Sequence, residues 1–135
     1  MGVETVRVSG PVIVNNRKLL LIKDSKDNFY KFPCGRVEKG EDLEEACIRE
    51  VNEEINGDIS ILRKLSTIFL RKDPKTDKPA DIELHHYRAF LKNKNEISPG
   101  KGIEEIRWFD ILELELGRYK IAPNVKYLLE RGEIR

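Results

Sequence analysis

The sequence predicts an α/β fold in which a mixed β-sheet is sandwiched between helices. Three observations predict it. Apolar strands interleave with two or three helical stretches, a hairpin signal makes part of the sheet antiparallel, and a capping-box spacing at Asp42 and Glu45 announces an amphipathic helix. A chain of 135 residues suits one domain, 1–135, with a real core, and not comfortably two.

Residues 3 to 9 alternate as a strand, and Gly10-Pro11 marks a break after it. Pro11 to Val14 and Lys18 to Lys23 then flank Asn15-Asn16, a hairpin signal because Asn tolerates positive φ. The Leu-rich second strand is expected to be central and buried on both faces. Asp24 to Asn28 is a polar loop, and Phe29 to Pro33 leads into a glycine-bearing turn. The helix that starts at about Asp42 is followed by Ile59 to Leu62 and Leu65 to Arg71, which read as one long or bulged strand. Asp73 to Ala80 is a charged loop, Asp81 to Leu91 another strand, and Lys92 to Gly102 a polar loop containing Pro99-Gly100. Asp110 can cap a short helix through Leu116, and Pro123 opens a last helix to about Arg131, with Gly132 past its end.

Composition excludes several classes of function. The net charge is +1, so nothing points to a broad grip on nucleic acid or an anionic membrane, whereas a nucleotide-sized ligand needs only a local basic patch. No apolar run approaches a membrane span, Met1-Gly2-Val3-Glu4 lacks the regions of a signal peptide, and a cytoplasmic protein is expected. Two cysteines make no disulfide framework, and Cys47 is expected to pack as a small hydrophobe. His85 and His86 point to opposite faces of their strand, and with Cys34 and Cys47 they match no recognised zinc spacing.

The chemistry concentrates between residues 35 and 57. At about 100° per residue, Glu50, Glu53 and Glu54 share one arc beside the apolar stripe of Leu43, Ala46 and Cys47. Like charges so close raise one another's pKa unless a cation neutralises them, and clustered hard oxygens suit Mg²⁺ or Mn²⁺. A charged, solvated helix is the plain alternative in a chain that is 36% charged. The pattern G-x5-E-x7-R-E-(apolar)-x-E-E, carried by Gly35, Glu41, Arg49, Glu50, Val51, Glu53 and Glu54, overrides it.

That pattern closely resembles the Nudix box, and Phe32-Pro33-Cys34 before it is similar to the family's usual approach to the helix. Asn56 stands where the family has Gly and Gly57 where it has an apolar residue, but Asn serves well at a left-handed helix end. Cys34 replaces a frequent second Gly. The resemblance implies the Nudix α/β/α sandwich and hydrolysis of a nucleoside diphosphate linked to another group. It makes Glu50, Glu53 and Glu54 metal ligands with the Cys34 carbonyl, one of the glutamates also steering the water. Arg49 is expected to hold Glu41 or a neighbouring carboxylate by its fork. Glu104 and Glu105, before Trp108, are candidates for the base, with Glu104 preferred and Glu53 next. Lys23 is a candidate for the phosphates, and Tyr87 and Asn124 for base or sugar. A sensor that binds a nucleotide without cleaving it is the alternative, disfavoured because every acid of the box is present. The expected partner is a small nucleotide, and the expected assembly a monomer or homodimer.

Overall fold

The structure, a computed structural model, describes residues 3–135, so the reading of Met1-Gly2-Val3-Glu4 falls in part, at Met1 and Gly2, outside the described residues. Seven strands form one mixed sheet: β1 (Thr5–Asn15), β2 (Lys18–Asp24), β3 (Gly35–Arg36), β4 (Ile59–Lys64), β5 (Ile68–Lys72), β6 (Pro79–Leu91) and β7 (Ile103–Asp110). Their order is β4-β6-β1-β2-β7, with β3 beside β1 and β5 beside β6; β1 and β6 are parallel and the other pairs antiparallel. Three helices complete the fold: α1 (Leu43–Ile55), α2 (Ile111–Glu115) and α3 (Pro123–Glu130). The sheet is mixed and lies between helices, as predicted.

Period-two alternation sends each strand's residues to two different cores. Leu20 and Ile22 of β2 pack with Cys47, Val51 and Ile55 of α1, while Leu19 and Leu21 pack with Leu114 of α2 and Val125 and Leu128 of α3. Leu19 to Ile22 are all fully buried, which is why this strand is an unbroken apolar run.

Four expectations need correction. The chain does not break at Gly10-Pro11, because β1 runs on through both residues. Pro33 and Cys34 cross β1 there, and a Cβ on Gly10 would collide with the Pro33 carbonyl and with Cys34, so this glycine serves a close approach rather than a turn. Pro11 falls after β1 leaves β3 and before it meets β2, where a residue without an N–H is tolerated. The hairpin turn is Asn16-Arg17, both at positive φ (50° and 63°), with Asn15 already paired to Lys18. The stretch from Ile59 to Arg71 is two strands, each antiparallel to its own part of the long β6. Finally, Gly35-Arg36 forms a two-residue strand inside the glutamate motif, paired to Val8 and Ser9.

Candidate active site

Helix α1 is fixed at both ends. At its start the Asp42 carboxylate accepts from the Glu45 N–H at 2.7 Å and the Glu45 side chain accepts from the Asp42 N–H at 3.2 Å, the capping box expected from the spacing. The buried Ser9 hydroxyl donates to the Leu43 carbonyl at 2.6 Å, tying this end to β1. At the other end Asn56 is left-handed (φ 54°, ψ 36°), and its side-chain amide donates to the Ser98 carbonyl and hydroxyl, both at 3.0 Å. The Ser98 and Gly100 N–H groups donate to the carbonyls of Ile55 and Glu54 at 3.0 and 2.8 Å. The loop after β6 thus satisfies carbonyls that a helix end leaves free.

Along the helix, Arg49 organises the acids. Its Nε and Nη2 donate to the two Glu41 oxygens at 2.7 and 2.9 Å, Nη1 donates to Glu50 Oε1 at 2.7 Å, and Nη2 also donates to the Arg36 carbonyl at 2.9 Å. Glu53 is a more distant partner at 3.3 Å and its side chain is 57% exposed. The parallel bonds from Arg49, with help from the Glu38 N–H, hold the Glu41 carboxyl down to about 2. Glu50 differs: burial raises its carboxyl even against Arg49. Glu54 accepts the Cys34 N–H at 2.7 Å, and burial, followed by the charge of Glu50, pushes it up to about 8.

Among the described residues no three His, Cys, Asp or Glu side chains converge at coordinating distance. Arg49 draws Glu50 to itself, Glu54 turns to Cys34, and Glu53 reaches toward solvent. The donor set nevertheless fits a divalent cation. Glu50 and Glu54 are acids held above their ordinary range by burial, and a Cβ on Gly35 would fill the space against the Glu50 carboxylate, so the glycine keeps that cradle open. Both cysteines are free thiols pushed up to about 12 by burial, so neither is a ready thiolate ligand.

A groove of about 380 Å³ opens beside this end of the motif, reaching Cys34, Gly35 and Arg36. Val6, Val8, Ile82 and Leu84 give it an apolar wall, Lys31 and Lys75 a basic edge, and Asn124 of α3 lines it while only 5% exposed. A hollow of about 390 Å³ between α2 and α3 is lined by none of the motif residues. Lys23 pairs with Glu104 at 3.3 Å. Glu105 accepts from the Tyr30 hydroxyl at 2.8 Å, and Tyr30 packs against Phe109 and Tyr119, in the core of α2 and α3. Tyr87 does not line this groove. Odd-numbered positions of this part of β6 face α1, and Tyr87 lies 6% exposed in that core, off the groove. The groove-facing residues were missed, although the even-numbered alternation Ile82, Leu84, His86 was the available signal.

A NUDIX-type domain, a mixed sheet between helices with a glutamate-bearing helix at one face, is the class that this fold and this site define. The model of the NUDIX domain matches residues 4–131, and the chain belongs to that family. It is 29% identical over 140 residues to proteins of Saccharomyces cerevisiae described as mRNA-decapping enzyme subunit 2 and m7GpppN-mRNA hydrolase. That match covers 98% of this chain, which spans 13% of the relatives' length. Among solved structures it is similar to a MutT NUDIX hydrolase from Burkholderia pseudomallei (TM-score 0.80, 20% identity, 94% of this chain and 97% of that one). It is also similar to a C. elegans Ap4A hydrolase (TM-score 0.74, 22% identity, 95% of each chain).

Proposed function

We propose that the chain hydrolyses the pyrophosphate linkage of a nucleoside diphosphate joined to another group, with Mg²⁺ or Mn²⁺ held by Glu50, Glu53, Glu54 and the Cys34 carbonyl. The observation that carries this reading is that the groove is lined by Cys34 and Gly35, the residues whose backbone lies against the Glu54 and Glu50 carboxylates of α1. A bound divalent cation supplies charge neutralisation at phosphate and a more acidic water. The protein's part is positioning. Arg49 fixes the Glu41 and Glu50 carboxylates, and the basic edge of Lys31 and Lys75 suits phosphate oxygens. The apolar wall suits a flat base, with Asn124 as its polar contact.

The base that takes the water's proton is assigned to Glu104, whose side chain is 53% exposed and paired only with Lys23 among the described residues. Glu105 is already engaged by Tyr30 and is the weaker candidate. Loss of turnover in Glu104→Gln with Mg²⁺ affinity kept supports the assignment; wild-type turnover in both Gln variants moves the base to Glu53. The reading takes residues 1–135 as one cytoplasmic domain, monomeric or dimeric, working on a small nucleotide. Its test is purified protein with Mg²⁺ against nucleoside triphosphates, ADP-ribose, dinucleoside polyphosphates, nucleotide sugars and a capped dinucleotide, products being separated by chromatography. Turnover that persists in EDTA overturns the metal assignment.

A further inference from the structure

His86 is fully buried between β1 and α3, with its ring 4.6 Å from that of Phe32. It has two polar partners. Nδ1 lies 3.1 Å from the Gly10 carbonyl, and Nε2 lies 3.0 Å from the Asn124 side-chain nitrogen. A backbone carbonyl only accepts, so Nδ1 carries the proton. Burial holds the ring neutral, with its pKa down to about 4. The Nε2 lone pair then requires a donor, which Asn124 supplies only through its NH₂. An amide is planar, so the direction of its oxygen is fixed once its nitrogen is committed. Among the described residues Asn124 Oδ1 meets no donor. Arg88 Nε, not this oxygen, is the buried side-chain polar atom left without a partner, so Oδ1 is open to the groove that Asn124 lines.

We propose that His86 is a positioning residue for substrate selection: as the neutral Nδ1–H tautomer it locks the Asn124 amide with its oxygen toward the groove, so the groove takes bases that present an N–H donor. The inference rests on the groove receiving the base, as under Proposed function. Its chain of polarity begins at a main-chain carbonyl of β1 and ends at the ligand, so no side-chain rotation short of moving that strand inverts it. An acceptor-only base edge would face the Asn124 oxygen lone pair to lone pair, the arrangement a desolvated site rejects.

The tautomer is read directly by ¹⁵N–¹H correlation on histidine-labelled protein. A protonated Nδ1 and bare Nε2 at neutral pH are expected for His86, and the Nε2–H tautomer or an imidazolium overturns the proposal. Selection is read as the ratio of kcat/KM for adenosine over purine riboside triphosphate, and for guanosine over inosine triphosphate, each pair differing by one amine. Wild type is expected to favour the amine-bearing member of at least one pair by about tenfold or more, mainly through KM. His86→Leu, which offers Asn124 no acceptor, is expected to bring that ratio to within about twofold, while His86→Gln, whose amide oxygen still accepts, keeps it. Equal ratios in wild type, or a ratio that His86→Leu leaves intact, overturn the inference while the hydrolase reading stands. If no nucleotide is cleaved, the hydrolase reading fails instead, and binding of the same pairs is followed by the Asn124 side-chain ¹⁵NH₂ signals. Equal or absent binding then overturns the selection.

Discussion

Glu50 and Glu54 lie one helical turn apart, yet their surroundings treat them differently. Glu50 shares Arg49 with Glu41, whereas Glu54 has only the charge of Lys31 and the Cys34 N–H against its burial, and burial prevails. Glu54→Gln keeps an oxygen for the Cys34 N–H and removes a charge the fold disfavours. The metal-free variant is therefore expected to be as stable as wild type or more so, while turnover falls by about 10², the scale of losing an electrostatic stabiliser. Thermal melts in EDTA and single-turnover rates check the two halves separately. Arg49→Lys keeps the charge but cannot make both bonds to Glu41 while also reaching Glu50. Turnover should fall by about tenfold or more in steady-state assays; an unchanged turnover would reduce Arg49 to a stabilising role.

At the scale of elements, what was legible was what is locally encoded. The capping box at Asp42 and the left-handed Asn56 follow from side chains acting within a few residues, and both stand where the sequence placed them. Gly10-Pro11 was misread because its cause is a crossing by Pro33 and Cys34, more than twenty positions away, which no local pattern carries. Pro99-Gly100 reads in the sequence only as part of a polar loop, for the same reason. In the structure Gly100 is docked on α1, its N–H on the Glu54 carbonyl at 2.8 Å, and a Cβ there would run into the Glu53 carbonyl. Gly100→Ala must therefore push the loop off the helix, and a loss of about 1–3 kcal/mol is expected in denaturant unfolding. Because β7 and Glu104 follow this loop, turnover should fall with it. A variant as stable as wild type would show that the loop does not depend on this contact.

Across the whole molecule, the glutamates were legible because one helix carries them in one motif, while the groove draws on β1, β3, β5, β6 and α3 and leaves no contiguous signature. The buried ionisable groups of these two regions also set how stability responds to pH. His86, ordinarily near 6.5, is held at about 4, so the unfolded chain binds the extra proton between those values and stability rises with pH up to about 6.5. Glu54 works in the opposite sense. Its ordinary value of 4.5 is raised to about 8, so over that interval the folded form keeps a proton the unfolded chain has lost, and stability falls as pH rises. Below about 6.5 the two oppose each other, and between about 6.5 and about 8 Glu54 acts without that opposition. In EDTA the melting temperature of wild type is accordingly expected to decline across this upper window. At the proposed site Mg²⁺ displaces the Glu54 proton, so the stabilisation expected from it grows through the same window. Glu54→Gln should flatten the decline in EDTA while leaving the His86 rise at lower pH in place. A wild-type melting temperature that climbs from about pH 6.5 to about pH 8 in EDTA would show that Glu54 is already ionised in the folded protein.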